Sequence, residues 1–178
     1  YDGAAREFRG FGRVEVLDAD NTVALTAFAQ DDCLKGHPTH QEVKDAAGAL
    51  WTRTESTWSC QEVAPGIRFA RLDQTDAVIQ DGDASARIVR SRFEYDAYGH
   101  VVAAYDDGEP GIAGDERSTK TTFLSDTSAW VLGKPSLIQT RDAGGAVVVQ
   151  RRFAYAGSAA SPSAPVTLVK EEEWLKGS

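Results

Sequence analysis

Residues 87–105 read RIVRSRFEYDAYGHVVAAY, two runs rich in β-branched and aromatic residues around the tetrapeptide Asp96-Ala97-Tyr98-Gly99. In the first run Val89, Phe93 and Tyr95 share a face by alternation, the pattern of a half-buried strand. Aspartate at the first position of a type I turn accepts hydrogen bonds from N–H groups further round it. Glycine at the fourth position takes a left-handed backbone without a Cβ clash. The stretch therefore predicts a β-hairpin. The same Asp-x-x-Gly turn recurs at Asp45–Gly48 and at Asp142–Gly145. At Asp18–Asn21 asparagine, the other residue that tolerates this conformation, replaces glycine.

Working outward, hairpins are predicted near 14–29, 36–60, 87–105 and 133–155, with a glycine-rich acidic loop over 106–118 and a Ser/Ala/Pro connector over 156–165. Val14 and Val16 lie opposite Arg13 and Glu15, and further strands are expected at Thr22–Ala29, Ile67–Leu72, Thr119–Leu124, Ala146–Tyr155 and Val166–Lys170. A helix over Gln41–Leu50 fits propensity alone, but Gly48 lies inside it and the apolar spacing is poor. The expected class is all-β with antiparallel hairpins. Two hairpins match over a longer span: Gly36, Pro38, Asp45, Gly48 and Trp58 have counterparts 97 residues on at Gly133, Pro135, Asp142, Gly145 and Tyr155. Such an internal repeat points to stacked hairpins in an extended sheet.

Nineteen basic and 27 acidic residues give a net charge of −8. That balance speaks against nucleic acid as a partner. No apolar run approaches the ~18 residues of a membrane-spanning helix. The absence of methionine and the initial tyrosine suggest a fragment or a processed chain. There is no nucleophile elbow, Walker loop or metalloprotease motif, so enzymatic turnover and cofactors are not expected. Asp18/Asp20 and Asp81/Asp83 lack the ordered ligand series of a calcium loop, and Glu171–Glu173 reads as a solvated run beside Trp174. Cys33, His37, His40 and Cys60 are zinc-ligand types in a spacing that matches no common finger, and the three histidines read as surface residues near turns.

Cys33 and Cys60 are equidistant from the Asp45–Gly48 turn, so simple register would set them face to face across a long hairpin. A bulge at Gly48 would instead bring Gln61 opposite Cys33, and Gly36-His37-Pro38 interrupts the arm. The residues leave open whether the thiols are bonded.

Tyr95-Asp96-Ala97-Tyr98-Gly99-His100-Val101 resembles the core of the Rhs/YD-repeat proteins, with His100 where asparagine or arginine is commoner. Tyr1-Asp2-Gly3 with Arg6–Gly12 (REFRGFG), together with Leu132–Tyr155, is similar to segments of the B component of bacterial insecticidal toxin complexes (Tc toxins) and of related plasmid virulence proteins. Tyr155-Ala156-Gly157 departs from the tyrosine-aspartate-glycine pattern. The resemblance implies an extended curved sheet, part of a hollow shell that holds a toxic C-terminal domain until delivery. Its implied partners are the remaining shell segments and the enclosed toxin. It also implies secretion after folding in the cytoplasm. The family's self-cleaving segment has no counterpart here, so no catalytic residue is carried over. The competing reading is a free-standing β-sandwich that binds glycan or a protein partner through Trp51, Trp58, Trp130 and Trp174, with closed sheets and an aromatic groove.

Overall fold

A computed structural model describes residues 3, 6–80, 85–127, 131–156 and 167–176. The opening Tyr1-Asp2, the Asp81/Asp83 pair, Trp130 and the connector beyond Ala156 lie outside the described residues. Eleven strands follow one another: β1 (Arg13–Leu17), β2 (Val23–Phe28), β3 (Pro38–Lys44), β4 (Leu50–Ala64), β5 (Ile67–Ile79), β6 (Arg87–Tyr95), β7 (Val101–Gly108), β8 (Arg117–Asp126), β9 (Val131–Arg141), β10 (Val147–Tyr155) and β11 (Leu168–Leu175). They form one open antiparallel sheet in sequence order, and no helix occurs among the described residues. Strands consecutive in sequence are neighbours in the sheet. The chain divides into two compact units, Tyr1–Arg92 and Phe93–Ser178.

Four hairpins close on the same turn. In each, the first residue's N–H donates to the carbonyl four residues on, and the fourth residue's N–H donates back to the first carbonyl: Asp18/Thr22, Asp45/Ala49, Asp96/His100 and Asp142/Ala146. Gly48, Gly99 and Gly145 hold φ of 84°, 86° and 81°, and Asn21 holds 63°. In three turns Oδ1 of the first aspartate accepts the N–H of the fifth residue at 2.8 to 2.9 Å. In the fourth, the carboxylate comes from Asp20, which accepts the Thr22 N–H at 3.1 Å. Glycine or asparagine is required because the left-handed backbone at this position penalises a branched Cβ.

The two matched hairpins agree in their irregularities as well. Between β2 and β3 the register steps from Ala27↔His40 to Phe28↔Pro38, skipping Thr39; between β8 and β9 it steps from Thr122↔Leu137 to Phe123↔Pro135, skipping Ser136. Each skipped hydroxyl donates back across the bulge, Thr39 to the Ala27 carbonyl at 3.4 Å and Ser136 to the Thr122 carbonyl at 3.1 Å. Proline at the start of β3 and in β9 explains the break, since it has no N–H for the ladder. A second pair of bulges skips Trp51 in β4 and Val148 in β10. Further along, Trp58 Nε1 donates to the Pro38 carbonyl at 2.8 Å and the Tyr155 hydroxyl to the Pro135 carbonyl at 2.9 Å. The aromatic thus supplies the proline carbonyl with a donor from the next strand in sequence, closing each module upon itself. Replacing Tyr155 by phenylalanine should lower stability by about 1 kcal/mol, the usual net worth of one such bond. Trp58→Phe should act in the same direction, and thermal unfolding of both variants checks it.

The stretch Gln41–Leu50 is strand, turn and strand, as the Asp45–Gly48 turn within it leads one to expect. Other expectations are corrected. The loop expected at 106–118 is shorter, since β7 runs to Gly108 and β8 begins at Arg117. Glu171–Glu173 lie within β11, whose residues are all exposed: an edge strand solvates such charges without leaving the ladder. The simple register about Asp45–Gly48 also fails. His40 faces Glu55, two residues beyond its simple-register partner, one residue coming from the glycine turn and one from the Trp51 bulge. Nor does the arm reach Cys33, because β3 begins at Pro38.

Only Val78, Ala103 and Val131 are buried hydrophobics among the described residues. A single sheet has no second layer to cover its faces, so half-burial is the rule. The strands form one hydrogen-bonded sheet, whereas the competing closed sandwich would be built of two.

Candidate functional site

The first module carries a feature its counterpart lacks. After β2 the chain enters a tight turn in which Asp31 Oδ1 accepts the N–H groups of Cys33 and Leu34 at 2.9 and 2.8 Å and its carbonyl accepts that of Lys35 at 3.0 Å. The Leu34 N–H above all holds the Asp31 carboxyl below the ordinary carboxylate range. Gly36, at φ 81°, lets the chain turn back, and Ala29 and His37 close the loop through the Ala29 N–H on the His37 carbonyl at 2.9 Å. This turn carries Cys33 over β4, where it is joined to Cys60 with 6.1 Å between Cα atoms. His37 stacks on Trp58 at 4.3 Å, two residues from Cys60. The cysteines therefore meet through a loop folded over the sheet, and no ladder connects them.

On the outer side of this loop lies residues 6–12. Arg9 donates to the Gln30 carbonyl at 2.9 Å and pairs with Asp32, Lys35 pairs with Glu7, and the Gly12 carbonyl accepts the Phe28 N–H at 2.9 Å. Phe8 and Phe11 meet edge to face at 5.8 Å and are exposed. A shallow apolar depression is lined by Phe11, Val14 and Phe28 between Gly10 and Gly36.

A second cluster forms in the other unit. His100 Nδ1 lies 2.9 Å from Asp96 Oδ2, its ring leans on Phe123 at 4.9 Å, and its Nε2 edge points at the bare Cα of Gly133. Burial pushes the Asp96 carboxyl up, but the His100 ring and the His100 and Tyr98 N–H groups together hold it below the ordinary range. Of the histidines, only His100 adjoins one of the Asp-x-x-Gly turns. His37 is half-buried on Trp58, and His40 sits within β3, with Nδ1 at 2.8 Å from Glu55 and Nε2 at 3.6 Å from Glu42.

His40 belongs to a row of ion pairs along one face of β3 to β6. Lys44 meets Glu42 at 2.6 Å, Arg53 meets Glu55 at 3.6 Å, and Arg90 grips both oxygens of Asp76 at 2.7 and 3.0 Å. The Arg90 guanidinium, helped by the Gln74 amide, holds the Asp76 carboxyl below its usual 3.8. A depressed folded pKa gives stability that is complete above the unfolded value and lost as pH falls through the folded one. Acid titration followed by circular dichroism should therefore show a shallower loss of stability below pH 3.8 in Asp76→Asn than in the parent.

Trp51 and Trp174 are exposed, whereas Trp58 is half-buried and engaged with Pro38. Among the described residues no group of histidine, cysteine and carboxylate side chains could hold a metal ion. No helix of the described residues is long and apolar enough to cross a membrane. Sequence reading missed the bulge hydroxyls and the aromatic donors to the proline carbonyls. Thr39 and Ser136 stand 97 residues apart like the rest of the repeat, and extending the match by one position past each proline would have found them.

No family model and no curated protein matches the chain. Solved structures do. Crystal structures of TcdB2-TccC3-TEV, of TcdB2-TccC3-Cdc42 and of TcdB2-TccC3 without its hypervariable C-terminal region superpose with TM-scores of 0.72, 0.72 and 0.74 at 15%, 14% and 14% identity. Each match covers 97% of this chain. The fold is Tc-like. The chain spans 14% of the length of those solved chains, so it corresponds to one segment of a much longer polypeptide fold.

Proposed function

We propose that this chain is a structural segment of the shell of a secreted Rhs/Tc-type toxin complex, assembling with further shell segments around a toxic cargo domain. The fold likeness over 97% of the chain carries the reading. The scarcity of buried residues supports it, because a one-layer sheet with two open edges is a part that other strands complete. The chemistry is mechanical. Turn carboxylates fix hairpin ends, proline carbonyls and aromatics lock the modules, and the acidic surface disfavours polyanionic partners. The segment itself carries out no turnover, and screens for hydrolase and ADP-ribosyltransferase activity should be blank. A reproducible activity abolished by one substitution in this chain would overturn that part.

Protease protection tests the shell. In the complete gene product, the polypeptide encoded downstream of the repeats should resist digestion and become cleavable when expressed without them. Equal cleavage in both contexts would remove encapsulation.

A further inference from the structure

We propose that the Cys33–Cys60 disulfide is a redox-operated clasp that low-molecular-weight thiols open, freeing the loop 29–36 and the segment 6–12 that rests on it while leaving the sheet intact. Three observations carry this. The first is access. Cys60 is exposed on β4 and Cys33 half-buried in a surface turn, so a thiolate can reach the bond, and exposed disulfides are the labile ones.

The second is that the fold does not depend on the bond. The matched module of the other unit repeats the turn, both bulges and the aromatic-to-proline bond, yet the sequence positions 97 residues on from Cys33 and Cys60 are Trp130 and Gly157. A module with the same ladder is built without it, so the bond serves something local to the first module. The third is what the bond holds. From His37 onward the chain is fixed by the Trp58 stack, the Trp58 bond to Pro38 and the β3 ladder. Before His37 the turn is tied within itself by Asp31, by the Gly36 N–H on the Ala29 carbonyl at 3.1 Å and by the His37 N–H on the Leu34 carbonyl at 3.0 Å, and to β4 by the disulfide. Arg9 and Glu7 then anchor residues 6–12, with the exposed Phe8 and Phe11, to Gln30, Asp32 and Lys35 of that turn. Opening the bond loosens the support beneath both aromatics.

The exchange balances with a monothiol such as glutathione. One thiolate attacks a protein sulfur and forms a mixed disulfide, and the other protein sulfur leaves as a thiolate. A second glutathione resolves the mixed disulfide, so that two glutathione molecules become one oxidised dimer while Cys33 and Cys60 gain two electrons and two protons.

The test equilibrates the protein with glutathione buffers, one mostly oxidised and one overwhelmingly reduced, followed by alkylation with peptide mapping and by brief trypsin treatment. In the reduced buffer both cysteines should be alkylated and cleavage after Lys35 should accelerate by about tenfold or more, as expected of a local opening, while Arg151 and Arg152 in β10 stay uncut over the same period. In the oxidised buffer neither should occur. Cys33→Ser/Cys60→Ser should show the fast Lys35 cleavage in both buffers. The proposal fails if the bond survives the reducing buffer or if reduction leaves Lys35 cleavage unchanged. It also fails if β10 is cut as fast as Lys35, which would make the bond a support of the whole fold. None of these readouts depends on the shell reading.

Discussion

Gly133→Ala is expected to lose about 3 kcal/mol, the sum of a left-handed backbone forced on a residue with a Cβ, ~1–2 kcal/mol, and of overpacking, ~1–3 kcal/mol. At φ 71° the new methyl would come within 2.5 Å of His100 Nε2. The imidazole has nowhere to retreat, since Asp96 holds its other nitrogen at 2.9 Å and Phe123 lies against its face. Adding His100→Ala should restore the overpacking share and leave the backbone share in place. Denaturant unfolding of the single and double variants decides this. Equal losses in both would show that the ring yields freely and that only the backbone matters.

The second large effect is expected from Cys33→Ser/Cys60→Ser. Closing a loop between residues 27 apart removes disorder from the unfolded chain worth about 3.5 kcal/mol. Equilibrium unfolding of the oxidised parent and the double variant measures it. The reduced parent should unfold close to the variant, because both lack the cross-link. A loss below about 1 kcal/mol would mean that the unfolded chain keeps the two segments together without the bond.

The turns were the legible part of the fold. Asp45, Asp96 and Asp142 with their glycines announce both the hairpin and its hydrogen bonding, because the chemistry is contained in five consecutive residues. Register was not legible. It depends on bulges at Trp51 and Val148, residues that look like ordinary strand positions, and on Thr39 and Ser136, whose role appears only against the opposite strand. For the same reason the symmetry of Cys33 and Cys60 about Asp45–Gly48 does not describe how the chain brings them together. The controlling residue is Asp31, which caps a turn of its own before β3 begins. The end of the last strand was misjudged at Lys170 because three glutamates rarely sit side by side in a strand, and an exposed edge removes that objection. The likeness to toxin-complex folds could be read from short motifs and the extended sheet from the 97-residue repeat, whereas half-buried alternation alone looks the same in a sandwich.

The paired bulges bear on how such a chain can lengthen or shorten over generations. Strand side chains alternate with a period of two, so one inserted or deleted residue would turn every later side chain of that strand to the opposite face. Each module holds two such phase changes, at Thr39 and Trp51 in the first and at Ser136 and Val148 in the second. In the first module a lone indel between them would put the ion-pair row out of step. Insertions should therefore survive where the phase is reset, at the bulges and hairpin tips, and whole modules should be copied or lost more readily than single strand residues. The constant offset of 97 residues between the two copies is what such inheritance by blocks would leave behind.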